Sequence, residues 1–122
     1  MRMLPLVAVL APALGLGACH RTPPGLPAEA VVRFYAAVEA LDCAAARERL
    51  GAPVRARLDQ SAAPCNEFLG RLREHPIERI VDTQSDGRNP AARLVRVHLR
   101  GHATDTILRV EAEDGQWKIF AL

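Results

Sequence analysis

Three cysteines are the residues of this sequence whose surroundings are most suggestive of chemistry. Cys19 follows an uncharged run that ends in two small residues, whereas Cys43 and Cys65 lie in segments with helical patterning. A thiol in the position of Cys19 can be a metal ligand, a disulfide partner, a buried apolar group or the target of a modification. The flanking residues have to decide among these roles.

The first 18 residues have the three parts of a secretory signal peptide. Arg2 provides a short positive region, residues 4–16 carry no charge and are mostly Leu, Val and Ala, and Gly17 and Ala18 are small. The apolar run is shorter than the roughly 20 residues that a transmembrane helix needs. We therefore predict a signal peptide over residues 1–18.

The segment Leu16-Gly17-Ala18-Cys19 resembles the lipobox of bacterial lipoproteins, in which a Leu and two small residues precede an obligatory Cys. The resemblance implies that the signal is cut before Cys19 and that this thiol is lipidated, so that acyl chains such as palmitate hold the protein at a membrane of the cell envelope. His20 stands where an Asp would alter sorting, which implies the outer membrane, facing the periplasm. The alternative is an ordinary cleaved signal followed by an incidental Cys.

The mature chain is predicted to consist of a tether, residues 19–27, and one domain, residues 28–122. Three prolines and a glycine between residues 20 and 27 indicate an extended spacer that follows the lipidated Cys. Removal of the signal lowers the formal charge from +2 to +1, because Arg2 is the one charged residue lost. A chain so close to neutrality gives no reason to expect nucleic acid as a partner.

Apolar residues between residues 27 and 72 recur with the period of an α-helix. The first predicted helix runs from Pro27 to about Leu41, and Asp42 is expected to cap a second one over residues 43–50. Ser61 is expected to cap a third helix, and residues 54–58 favour one further turn between them. Two apolar stripes carry these predictions: Val31, Phe34, Tyr35 and Val38 in the first helix, and Cys65, Phe68, Leu69 and Leu72 in the third.

After Pro76 the period falls to two, which predicts strands over residues 77–84, 92–100, 106–113 and 116–122, the last pair joined by a hairpin at Asp114-Gly115. Helices followed by a meander of strands indicate an α+β fold, with the helices packed on one sheet face. Opposite charges on the polar faces of the two middle strands are expected to support their antiparallel pairing.

Residues 27–51 and 113–122 resemble, in this order, the first two helices and the final hairpin of the cystatin-like roll found in the nuclear transport factor two superfamily. The resemblance implies a curved antiparallel sheet of about four strands, with an apolar pocket on its concave face. The inward-facing candidates for that pocket are Tyr35, Val97, Leu99, Leu108, Val110 and Trp117.

Some members of that superfamily are isomerases or dehydratases, and Tyr35 resembles a Tyr that donates a hydrogen bond to substrate in ketosteroid isomerases. The partner acids of that reaction have no counterpart here, since the inward positions of the middle strands cannot ionise. We therefore expect no catalytic residue and no cofactor, and a domain that binds an envelope protein or a small apolar ligand. The alternatives are an isomerase or dehydratase-like enzyme using Tyr35, and a purely structural lipoprotein.

With Cys19 lipidated, Cys43 and Cys65 remain as a possible disulfide pair in an oxidising compartment. Such a bridge would stabilise the domain by roughly 3 kcal/mol, and two reduced core thiols are the alternative. The four histidines show no metal-binding spacing on a helix, and the sequence has no CxxC, so no metal site is predicted.

Overall fold

The computed structural model describes residues 22–122, so the predicted signal peptide, Cys19 and His20 lie outside the described residues. The described residues form the predicted α+β fold. Four helices are followed by an open, four-stranded antiparallel sheet in the order β1-β2-β3-β4. The elements are α1 (Pro27–Glu39), α2 (Cys43–Glu48), α3 (Ala52–Gln60), α4 (Cys65–Arg73), β1 (Ile77–Ser85), β2 (Ala92–Leu99), β3 (Thr106–Glu113) and β4 (Gln116–Ala121).

The core lies between α1 and the inner face of the sheet. Helix α1 contacts all four strands, and its apolar stripe, with Phe34 fully buried, points at them. Pro27 at the first helical turn and Glu29 near the positive end of the helix dipole favour the start of this helix. The inner sheet residues are at most 5% exposed: Val95, Val97, Leu99, Leu108, Val110, Trp117 and Ile119.

Helix α3 is a complete helix of nine residues, where the sequence pattern predicts only one turn. Its N-cap residue, Gly51, has no side chain to cap it, and Glu113 of β3 supplies the acceptor instead. The Glu113 carboxylate accepts a hydrogen bond from the Ala52 N–H at 2.9 Å and pairs with Arg55 at 3.0 Å. Because this cap comes from a distant strand, a local pattern cannot reveal it.

The predicted N-cap is confirmed for α2 but is wrong for α4. Asp42 caps α2 as expected, since its carboxylate accepts a hydrogen bond from the Ala45 N–H at 3.1 Å. Ser61 does not cap α4, whose N-cap position is Pro64. The Ser61 hydroxyl instead accepts a hydrogen bond from the Ala63 N–H at 3.2 Å, which closes a short turn between α3 and α4.

Helix α2 ends at Glu48 rather than at Leu50, because the chain from Arg49 to Gly51 pairs with β4. The Gly51 N–H donates to the Ile119 carbonyl, and the Ile119 N–H donates to the Arg49 carbonyl, both at 2.8 Å. These bonds cover part of the outer edge of β4, which would otherwise expose unpaired backbone groups.

The charged outer face of the sheet is arranged differently from the prediction. Strands β2 and β3 are antiparallel, but in their register Arg96 lies opposite Ile107 rather than opposite a carboxylate. Arg96 instead lies 3.8 Å from Asp82 on β1, and Arg109 pairs with Asp86 at 2.7 Å. The expectation that charges pair across the two middle strands is therefore wrong, because the register of β2 and β3 places apolar residues opposite Arg96 and Arg109.

The described part of the predicted tether lies against the domain. Pro23 is buried, and the indole N–H of Trp117 donates a hydrogen bond to the Gly25 carbonyl at 3.3 Å. This contact attaches the segment before α1 to β4. No helix between residues 22 and 122 combines the length and the apolar character needed to cross a bilayer.

Candidate functional site

Cys43 and Cys65 form a disulfide bond, which confirms that part of the sequence prediction. Their Cα atoms are 6.2 Å apart, within the range that disulfides adopt. Each cysteine is the first residue of its helix, α2 or α4, so the bond ties the starts of these two helices together. Helix α4 also packs on α1, and it is therefore supported from two sides.

The residues expected to line one pocket pack into the hydrophobic core instead: five of them are at most 5% exposed, and Tyr35 is half-buried against them. Val97, Leu99, Leu108 and Val110 belong to the core cluster under the helices. Trp117 reaches a cavity of about 340 Å³ beside the start of α1, where Arg33 and Arg49 also lie. The sheet face that the sequence predicts as concave and ligand-binding is thus occupied by the protein's own helices.

Tyr35 lines a separate open cavity of about 440 Å³, together with Glu39, Ile77 and Arg100. Its ring packs edge-on against Phe34, and burial raises the pKa of its phenol. Among residues 22–122, no group forms a hydrogen bond with the Tyr35 hydroxyl. The arrangement places a half-buried phenol beside a cavity that Glu39 and Arg100 also line, and neither of these groups is hydrogen-bonded to the phenol.

The histidines fall into two separate sets. His75 and His102 are in contact, with ring centroids 4.5 Å apart and planes tilted by 58°, because the turn after β2 returns His102 towards the end of α4. His98 lies on the outer sheet face, where its Nδ1 is 3.0 Å from Asp105. Within the described part of the chain, no three His, Cys, Asp or Glu side chains come together as a set of metal ligands.

A third cavity, of about 450 Å³, lies between α3 and α4 and is called the α3–α4 groove here. Helix α3 rests on β4, whereas α4 rests on α1 and α2, so the two helices form separate walls. The lining is apolar at its base and carries two arginines: the residues are Val54, Arg57, Leu58, Ser61, Phe68, Arg71, Leu72 and Leu122.

The apolar side chains of the α3–α4 groove are only partly covered by the protein. Leu58, Phe68 and Leu72 are half-buried and pack against the core with one side. Their other sides line the groove, whose volume lies within the roughly 300–1,000 Å³ of small-molecule sites. Arg57 and Arg71 are exposed on opposite walls. The groove can therefore take an apolar group, and its lining carries two positive charges.

The sequence shows the parts of this groove but not their meeting. Val54 and Leu58 are four residues apart, as are Phe68 and Leu72, and both pairs are visible as helical spacing. Arg57 and Arg71 are predicted to belong to a solvated helix face, since arginines and acids alternate there. Tertiary packing alone holds these two helices apart, with their apolar sides facing one cavity. No protein-family model, no curated protein and no solved structure matches this chain.

Proposed function

We propose that this chain is a lipid-anchored protein of the bacterial cell envelope, attached through Cys19, whose domain is a non-catalytic binding module. The observation that carries the proposal is the Cys43–Cys65 disulfide, which pairs two of the chain's three cysteines and leaves Cys19 without a cysteine partner. A disulfide also favours an oxidising compartment outside the cytoplasm. Both points agree with the lipobox-like sequence that ends at Cys19 and with attachment at the outer membrane, facing the periplasm.

The fold is proposed to be a cystatin-like roll. Two features support this. A first helix, α1, lies across all four strands of a meander, and the last hairpin places Trp117 on the inner face of the sheet. The fold does not by itself assign an activity, since one architecture hosts many functions.

Binding is favoured over catalysis by the chemistry of the cavities. The lining of the α3–α4 groove consists of aliphatic and aromatic groups, two arginines and a serine. An isomerase of the kind that Tyr35 suggests would need a base held against the substrate. The carboxylate that lines the Tyr35 cavity is Glu39, whose side chain is exposed and lies 3.8 Å from Arg73. A purely structural lipoprotein would have no need for an apolar groove that remains open to solvent.

The anchoring is tested by labelling with radioactive palmitate in a Gram-negative host. The full-length chain should incorporate label and sediment with outer membranes, and Cys19→Ser should lose both properties. The matched control is the double variant Cys43→Ser/Cys65→Ser, which should still be labelled because it retains Cys19. Processing and membrane association of Cys19→Ser like the parent would refute the anchor.

The binding role is tested separately with the neutral apolar dye Nile red and the unlipidated mature chain, which contains the whole core. Its fluorescence should rise saturably, with one site per molecule. Leu58→Gln places a polar amide in the groove and should weaken binding about tenfold. Ala56→Gln, an exposed change on the same helix, should leave binding unchanged. Equal effects of the two substitutions would contradict binding in the groove.

A further inference from the structure

We propose that the ligand of the α3–α4 groove is a single-chain fatty acid, whose alkyl chain lies on Leu58, Phe68 and Leu72. Its carboxylate would lie between Arg57 and Arg71. This inference rests on the proposed binding role of the groove and adds the chemical class of the ligand.

The shape favours one alkyl chain. The groove has a volume of about 450 Å³, towards the lower end of the range for small-molecule sites. Its base consists of side chains that the core covers on one side only, so a ligand that covers the other side gains hydrophobic stabilisation. Two acyl chains with a large headgroup would exceed this volume, whereas a single chain of medium length fits it.

The two arginines supply a charge that the protein does not neutralise. Within residues 22–122, neither Arg57 nor Arg71 takes part in an ion pair or a side-chain hydrogen bond. Their neighbours differ: Arg47 pairs with Asp59 at 2.5 Å, and Arg55 pairs with Glu113 at 3.0 Å. Asp59, the carboxylate closest in sequence to Arg57, is thus already engaged by Arg47.

Helix α4 contains acids that could have neutralised Arg71. Glu67 and Glu74 are one helical turn before and after it, yet neither lies within ion-pair distance of Arg71. A guanidinium presents several N–H donors in a plane and binds a carboxylate through two parallel hydrogen bonds. The aliphatic stem of each arginine can extend the apolar wall while its head contacts the charge. Two such groups, exposed on the lining of a largely apolar groove, match the head of a fatty acid.

The walls of the groove are held independently of any ligand. Helix α4 is tied to α2 by the disulfide, and the start of α3 is held by Glu113. Since both walls are fixed, a ligand pays little ordering entropy when it binds, which favours useful affinity from a small contact area. Because the Cys43–Cys65 bond holds one wall, its reduction is expected to weaken ligand binding.

The proposal is tested by titrating the unlipidated mature chain with decanoate and with decanol, both below their aggregation limits, in calorimetry. Decanoate should bind one site and bind about tenfold more tightly than the neutral alcohol, because only the carboxylate contacts the arginines. Arg57→Gln and Arg71→Gln should each weaken decanoate binding by about threefold to tenfold. Both variants should bind decanol as the parent does.

The matched control is Arg79→Gln, which removes an exposed arginine of β1 that does not line the groove. It should leave decanoate binding unchanged, and circular dichroism should show that all three variants melt as the parent does. Equal affinities for decanoate and decanol would overturn the fatty-acid proposal, while saturable Nile red binding would still support a binding module. Equal losses in all three variants, or binding only to anionic phospholipid vesicles, would also overturn it.

Discussion

Glu113 links the end of β3 to the start of α3. Partial burial acts to raise the pKa of Glu113, but the hydrogen bonds from the Ala52 N–H and Arg55 outweigh it and hold that pKa below its ordinary value of 4.5. A carboxylate at this position also faces the positive end of the α3 dipole. One side chain thus satisfies a helix N-terminus that Gly51 leaves uncapped.

The substitution Glu113→Gln is expected to lower the free energy of unfolding by about 1 kcal/mol at pH 7, through loss of charge at a cap and an ion pair. Because the folded-state pKa is depressed, the contribution of Glu113 is complete above pH 4.5 and is lost as the pH falls through the lower folded-state value. Urea unfolding between pH 7 and pH 3 should show the difference between parent and variant shrinking. A difference that stays constant would contradict this role.

Gly51 is needed because the ring of Phe120 lies directly over it. A Cβ at Gly51 would lie 2.5 Å from ring carbons of Phe120, closer than atoms can approach. Gly51→Ala should therefore destabilise the domain by about 1–3 kcal/mol, since the ring or the 49–51 bridge to β4 has to shift. Thermal unfolding checks this.

Gly70 gives the matched control for Gly51. It lies within α4, and a Cβ there would meet no atom within 4 Å. Gly70→Ala should stabilise the domain by about 0.5–1 kcal/mol, because alanine restricts the unfolded chain without strain in the helix. Similar melting shifts in the two variants would show that space at Gly51 is not the cause.

At the scale of the elements, the disulfide decides how α2 and α4 are held. Neither helix has long-range hydrogen bonds to the other among the described residues, and the bond joins their first residues across 22 positions of sequence. Helix α4 buries only Leu69 fully, so packing alone holds it weakly. The bridge therefore supplies much of the restraint on this wall of the α3–α4 groove.

The double variant Cys43→Ser/Cys65→Ser should lose about 3 kcal/mol of stability, by the entropy of the closed loop. For a domain of this size that corresponds to a melting temperature lower by roughly 10–20 °C. The parent in excess dithiothreitol should melt like the variant in calorimetry, and dithiothreitol should not affect the variant. A variant that melts with the oxidised parent would show that the bridge contributes nothing.

At the scale of the whole molecule, Trp117 connects the segment that would lead to the membrane with the body of the domain. Its indole N–H bonds the Gly25 carbonyl, and Arg93 lies over its ring, 5.5 Å from the centroid. Pro23 is buried beside this contact. The part of the predicted tether from Pro23 to Pro27 is therefore held against the domain rather than extended away from it.

Trp117→Phe removes the N–H donor and keeps most of the apolar volume. Exchange of the Glu29 amide, which donates to the carbonyl of Leu26 next to Gly25, should become about fivefold faster, the value for loss of one hydrogen bond of about 1 kcal/mol. Hydrogen-exchange mass spectrometry can measure this. Phe34→Leu is the control: it weakens the core under α1 without touching the Gly25 contact, so it should not accelerate exchange of this amide selectively.

Local sequence patterns predict the order and type of most elements. Strict alternation in β2 and β3 and the Asp114-Gly115 turn define the meander, because a sheet with one buried face requires a period of two. The stripe from Val31 to Val38 and the Asp42 cap define α1 and α2 in the same local way. Cysteine number and position predict the disulfide. These features depend on neighbours in sequence, which a pattern records.

Three features depend on contacts between residues that are distant in sequence. They are the residue that caps α3, the ion-pair partners of the charged sheet residues, and the existence of the α3–α4 groove. Glu113 reaches Ala52 across 61 positions, Arg96 pairs with a strand on its other side, and two helical stripes meet at one cavity. Each depends on register or on the separation of packed elements, which set distances between residues remote in sequence. The arginines at that cavity look like ordinary surface charges until the fold places Arg57 and Arg71 around apolar side chains.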